Sequence, residues 1–153
     1  MEQNMEQLAQ LQALNGRWKQ DHSQNENYDQ FLRENGVPWF CCKIASWLKI
    51  SPVEEYIITG DQITYRQYEN NDSRTISFEM TLTVGQPPVN IAAGFSHFQA
   101  QISWDQYGRL VTRTRKKSGE FIQTGRMDSK GDLELTTLLP SGKTCRRVLK
   151  RVH

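Results

Sequence analysis

The sequence is short of the residues that staple or catalyse. Of 153 residues only three are cysteine, Cys41, Cys42 and Cys145. An odd number with no metal-ligand spacing argues against a disulfide framework and against a zinc site. It fits a reducing compartment, and a cytoplasmic location is expected. The three histidines, His22, His97 and His153, are scattered, and no Ser–His–Asp or Cys–His arrangement can be read. No Gly-rich phosphate loop or metal-ligand cluster appears, so neither an enzyme nor a cofactor is expected. Cys41, near the start of a short helix, is the one thiol a helix dipole could activate. Adjacent cysteines are more often one packed and one idle. No run approaches the roughly 20 apolar residues of a membrane span, and the N-terminus shows no basic-then-apolar leader. Apolar residues are scarce too: 37% hydrophobic with a mean hydropathy of −0.70. One domain of this length can bury a proper core, so such leanness implies a solvated tail, a partly polar interior, or both.

Charge is present but unevenly placed. The net value is +2, yet residues 1–108 carry 7 Lys+Arg against 13 Asp+Glu (−6), and residues 109–153 carry 12 against 4 (+8). Outward strand positions charged for solubility explain this; a basic face that attracts an anionic ligand or membrane is the sharper reading. Nucleic acid is not expected as a partner, because the basic stretch 143–151 has no aromatics among its charges for bases to stack upon.

The chain is organised around residues 14–45. Leu14-Asn15-Gly16-Arg17-Trp18-Lys19 reads as an edge-forming strand with a Gly-x-Trp. A short helix comes next over 25–35, started by Asn25 or Asn27 and stopped at Gly36, with Tyr28, Phe31 and Leu32 on one face. Pro38 opens a second helix over 39–48, whose Ile44, Trp47 and Leu48 share a face. Both are below the roughly 12–15 residues that hold a helix alone, so they must lean on something. Residues 1–13, Gln-rich with a thin Met5, Leu8, Leu11 stripe, read as a flexible arm preceding a domain over 14–153.

Beyond residue 53 the chain is strand after strand: 55–59, 62–69, 74–83, 95–103, 109–116, 120–127, 132–139 and 143–152, each separated by turn residues such as Gly60-Asp61 or Lys117-Ser118-Gly119. Gly85-Gln86-Pro87-Pro88 interrupts the pairing. Such spacing predicts a meandering antiparallel sandwich or barrel. Neither face of several strands is apolar. Arg113 and Arg115 alternate with Thr112 and Thr114, and Ile63, Tyr65, Gln67 and Glu69 alternate with Thr64, Arg66 and Tyr68. A dry core would not tolerate those groups unpartnered, whereas a barrel wide enough for water and a ligand would.

Leu14-Asn-Gly-Arg-Trp-Lys, Asn27-Tyr-Asp-Gln-Phe-Leu32, Gly36-Val37, Lys43-Ile44-Ala45, Ile57-Ile-Thr-Gly-Asp-Gln-Ile-Thr64, Thr75-Ile-Ser-Phe78 and Thr144-Cys-Arg-Arg-Val-Leu-Lys-Arg151 together resemble the intracellular lipid-binding proteins. That family holds the fatty-acid-binding and cellular retinoid-binding proteins. The resemblance implies an all-β fold: a ten-stranded antiparallel up-and-down β-barrel, or β-clam, capped by a short helix–turn–helix. It further implies a carrier holding one long-chain fatty acid or similar amphipathic carboxylate. Arg126 and Arg147 fall where carboxylate-binding members place two interior arginines; arginine suits the task because its planar fork stays charged. Tyr28, Phe31, Leu32 and Ala45 are the implied contacts at a helical portal. The sequence departs from the family where a tyrosine usually stands two residues after the second arginine: Leu149 occupies that place, so the expected grip lacks a hydroxyl. Longer links before Tyr28 and before Val53, and Pro87-Pro88, also depart and leave the pocket shape open.

A retinoid or bile-acid carrier of the same fold, and a membrane-surface adaptor using its basic face, are the alternatives. A secreted lipocalin also opens with Gly-x-Trp, but two helices after the first strand count against it. The expected partners are a hydrophobic carboxylate and, transiently, anionic membranes; a monomer is expected.

Overall fold

A computed structural model describes residues 5–38, 40–42, 48, 51–70, 72–93 and 96–152. Helix α1 (Met5–Leu14) leads into β1 (Gly16–Gln20), then a 3-10 turn at His22–Gln24 and helix α2 (Tyr28–Glu34). Nine strands come after it: β2 (Glu54–Thr59), β3 (Gln62–Glu69), β4 (Asp72–Thr83), β5 (Val89–Ala93), β6 (Ser96–Trp104), β7 (Leu110–Lys116), β8 (Gly119–Met127), β9 (Leu133–Leu138) and β10 (Thr144–Val152). They and β1 form one ten-stranded antiparallel sheet in the order β4-β3-β2-β1-β10-β9-β8-β7-β6-β5. The sheet curls into a nearly closed barrel, the fold class the sequence implied. Its seam lies between the edge strands β4 and β5, near the Pro87-Pro88 stretch. There Gly85 N–H reaches the Ile102 carbonyl at 2.9 Å.

Two expectations are corrected. The Gly-x-Trp strand is not an edge, since β1 pairs with β10 on one side and β2 on the other. The meander thus closes through its own two ends. Residues 5–14 are not a flexible arm but helix α1, and a boundary at residue 13 falls inside it. A ten-residue helix is too short to persist alone; Leu11, fully buried against Ile63, Leu82, Ala100 and Ile102, supplies the missing packing. Met5 and Leu8, the rest of the expected stripe, stay exposed. The strand at Val89–Ala93 is hidden in the sequence because its prolines mark a break and its run is short.

The α1–β1 corner is tightly specified. Trp18 is fully buried with Leu133, Leu135 and Leu149, and its indole N–H donates to the Leu14 carbonyl at 2.9 Å. The Arg151 guanidinium lies 4.2 Å from the centre of the Trp18 ring and donates to the carbonyls of Asn15 and Ala13. A cation on those last carbonyls suits the negative end of the helix. Gly16 sits at φ +129°, where a Cβ would come 2.7 Å from Arg151 Nη1, so glycine is required.

Helix α2 lies across one end of the barrel and is tied to it at both ends. Asn27 precedes it in a left-handed conformation (φ 59°); its side chain does not cap the helix but donates to the Thr144 carbonyl. At the other end Glu34 accepts from the Ser141 backbone N–H and hydroxyl, and the Ser118 hydroxyl donates to the Glu34 carbonyl. Gly36, at φ +94°, ends the helix as its sequence position implies. Of the second helix, residues 40–42 and 48 are helical, Cys41 is exposed and Cys42 buried. Lys43, Ile44, Ala45, Trp47 and Lys49 lie outside the described residues.

Candidate ligand cavity

Strand periodicity sends every second residue inward, and here the inward set is mixed. A cavity of about 310 Å³ opens beneath α2, lined by Tyr28, Phe31 and Leu32 above and by the barrel wall below. A second, of about 440 Å³, lies between the barrel and Ala9, Gln10, Ala13 and Leu14 of α1. Both share Tyr56, Ile63, Ile102, Thr112 and Gln123 as walls, so the interior is hollow from one helix to the other. Each falls within the roughly 300–1,000 Å³ of ordinary small-molecule sites.

The polar side of the upper cavity is one connected group. Arg147, 7% exposed, points in from β10 and places Nη1 3.3 Å from Glu54 Oε2 and 3.2 Å from Gln20 Oε1. Glu54, on β2, also accepts from the Tyr65 hydroxyl at 2.6 Å, and Gln67 donates to that same hydroxyl. Tyr56 meets the Tyr65 ring edge-on at 5.3 Å. Burial pushes the Tyr65 phenol well above its usual range, and the Glu54 charge pushes the same way. Burial alone would lower the Arg147 guanidinium; the Glu54 charge and the neighbouring Tyr65, Tyr56 and Tyr28 together outweigh it and hold the cation protonated. Arg147 Nε and Thr137 Oγ1 are buried without a protein partner among the described residues.

Aromatic side chains link this group to the far wall. The Arg147 guanidinium is 5.2 Å from the Phe31 ring centre, Phe31 stacks on Tyr28 at 6.1 Å, and it meets Phe121 edge-on at 6.4 Å. Beyond Phe121 comes Lys116, the last inward residue of β7. Its Nζ lies 5.7 Å from the Phe121 ring centre, 5.3 Å from that of Phe98, and 2.7 Å from Asn35 Oδ1. Burial lowers its pKa.

Of the residues singled out in the sequence, the structure brings Tyr28, Phe31, Leu32 and Arg147 to one cavity. It does not bring Arg126 there. Register explains why: Arg147 faces Leu135, and Leu135 faces Gly125, so the inward positions of β8 are Gly125 and its alternates. Arg126, one residue on, borders the lower cavity but carries its side chain outward, 76% exposed and 3.5 Å from Glu134. The expected pair of converging arginines is therefore one interior arginine. Leu149 is fully buried in the Trp18 cluster, so an apolar core occupies the place of the missing hydroxyl. Ala45 is outside the described residues. Glu54, Gln20, Tyr65 and Lys116 join the site without having stood out in the sequence. The alternation of β7 could have exposed Lys116, as it lies on the same face as Thr112 and Thr114.

No protein-family model and no curated protein matches the sequence. Solved structures match over nearly the whole chain. The fatty acid transporter REP1-NXSQ superposes with a TM-score of 0.69 at 19% identity, covering 92% of this chain and 96% of its own. Lipid binding protein 8 of Caenorhabditis elegans gives 0.69 at 22% identity, covering 97% and 98%. A Schistosoma mansoni fatty acid binding protein, in complex with arachidonic acid, gives 0.70 at 15% identity, covering 94% and 99%. The chain has the fold of the fatty-acid-binding proteins.

Proposed function

We propose that the protein carries one amphipathic lipid, of the fatty-acid class, inside its barrel. The observation that carries this reading is the hollow interior between α1 and α2, apolar along Ile63, Met80, Leu82 and Ile102 and polar along the connected Arg147–Glu54–Tyr65–Gln67 group and at Lys116 on the far wall. Burying an acyl chain there gains roughly 0.8 kcal/mol per methylene, and the polar positions orient the head group. Tyr28, Phe31 and Leu32 serve as ligand contacts under the lid, with Arg147 on the polar wall. Carriage rather than catalysis also accords with the solved neighbours, which are named for fatty acid transport and lipid binding.

Three free thiols suit a reducing, cytoplasmic setting. Exposed Phe40 and Leu48, close in sequence to the lid, offer apolar contacts to a membrane during loading. Native mass spectrometry of the purified protein tests the reading: a 1:1 lipid complex is expected from a monomer, and oleate should displace a fluorescent fatty-acid probe stoichiometrically. A protein that neither retains lipid nor binds the probe is not a carrier. If ligand transfer to vesicles rises with vesicle concentration and anionic charge, loading occurs by membrane contact; indifference to both means release through water.

A further inference from the structure

The geometry points to Lys116, not Arg147, as the cation that receives the carboxylate of a bound fatty acid; this rests on the carrier reading. Among the described residues, two cations line the upper cavity, Arg147 and Lys116. Arg147 is already neutralised: Glu54 lies 3.3 Å from its Nη1, and both are more than nine-tenths buried. A carboxylate arriving beside them would place two anions around one cation in a poorly screened interior, where like charges disfavour one another strongly. Displacing Glu54 would break its contact with the Tyr65 hydroxyl as well.

Lys116 is in the opposite condition. Among the described residues no carboxylate lies within ion-pair distance of its Nζ, and its one hydrogen-bond partner is the neutral Asn35 amide. An ammonium has three donors, so donors remain after Asn35 has taken one. Its half-buried place between the Phe98 and Phe121 rings weakens hydration, which makes an added anion more favourable there than at an exposed lysine. Asn35 stands immediately after α2, so the head group would sit under the lid's C-terminal end. The acyl chain would then run past Phe78, Met80 and Ile63 toward α1. The neutral Arg147–Glu54 pair becomes part of the wall that the chain or a water contacts, not the anion site.

Displacement titrations on the full chain with oleate and oleyl alcohol, in wild type, Lys116→Gln, Lys116→Arg and the double Glu54→Gln/Arg147→Gln, test this. Lys116→Gln should weaken oleate by about ten- to a hundredfold and leave oleyl alcohol almost unchanged. Lys116→Arg should restore most of the loss; in the double variant, which alters a wall the ligand contacts, any change should fall equally on oleate and oleyl alcohol. Because Lys116 is only half buried, Lys116→Gln is expected to fold, and its oleate affinity decides the matter if the double variant does not. Unchanged oleate binding in Lys116→Gln overturns the proposal while leaving a carrier in place. Selective loss of oleate in the folded double variant also overturns it. A wild type that binds neither lipid sinks the carrier reading and this proposal together.

Discussion

Arg147 and Glu54 meet at 3.3 Å inside the barrel, on strands β10 and β2, which are separated by β1. Gln20, on the intervening strand, completes the bridge by accepting from the same Nη1. The pair therefore ties the sheet together across the place where its N-terminal and C-terminal strands join.

That arrangement sets a stability prediction. Arg147→Gln leaves Glu54 buried without its cation and should cost about 3–5 kcal/mol in urea denaturation. Glu54→Gln strands the arginine and should cost a similar amount. The double variant, with two neutral amides, should be much less unstable than the sum of the singles. Additive losses would mean the two groups are not coupled in the folded protein.

The legibility of this site in the sequence depends on the range over which each signal acts. Tyr28, Phe31 and Leu32 are legible because helical spacing is local. The polar interior is legible because two-sided polarity cannot occur in a dry core. Arg126 is misplaced by sequence because the face of a strand depends on register, and one residue reverses it. Here the loop Asp128–Asp132 sets that register, with Asp128 N–H bonded to the Asp132 carbonyl. Glu54 is illegible for a different reason. Adjacent Glu54 and Glu55 look alike in sequence, yet one is buried with Arg147 and the other lies outside with Arg17 and Arg66. Helix α1 escapes a sequence reading because its weak apolar stripe acquires value only from the cluster that receives Leu11.

Leu11→Ala should accordingly destabilise the protein by about 2–5 kcal/mol, the range for truncating a buried leucine. Arg151→Ala should loosen the same helix at its C-terminal end, removing two hydrogen bonds and the cover over Trp18. Urea midpoints and amide exchange over residues 5–14 would show both effects. If Leu11→Ala is neutral, α1 does not close the barrel in solution.

Alkaline pH should weaken the fold. Burial pushes the Cys145 thiol up to about 11, and burial raises the Tyr65 phenol as well. An unfolded thiol titrates near pH 8.5 and an unfolded tyrosine near pH 10. Between the unfolded and folded values the native chain keeps protons that the unfolded chain has lost, so stability falls as pH rises. The urea midpoint should drop between about pH 8.5 and 11, with a shallower drop in Cys145→Ala. A flat profile over that window would mean that the thiol ionises as readily folded as unfolded. At neutral pH, Cys41 should react rapidly with a thiol reagent while Cys42 and Cys145 react only on unfolding.

The last prediction concerns the lid. Phe31 touches Tyr28, Phe121 and the Arg147 guanidinium at once, so it both roofs the cavity and stands between Arg147 and Lys116. Phe31→Ala removes the roof without touching the tethers of α2 at Asn27 and Glu34, which keep the helix in place. Its stability cost should lie at the lower end of the range for aromatic truncation, about 3 kcal/mol or less, because the ring is not fully buried. Kinetics should respond more than stability. With the roof gone, a bound lipid has a shorter path past Leu32, and its dissociation rate should rise while α2 stays helical by amide exchange. Faster release with α2 still protected would identify Phe31 as a barrier on the exit path. An unchanged release rate would place the exit elsewhere, and the seam between β4 and β5, where the ladder is broken, would then be the route to examine by cross-linking.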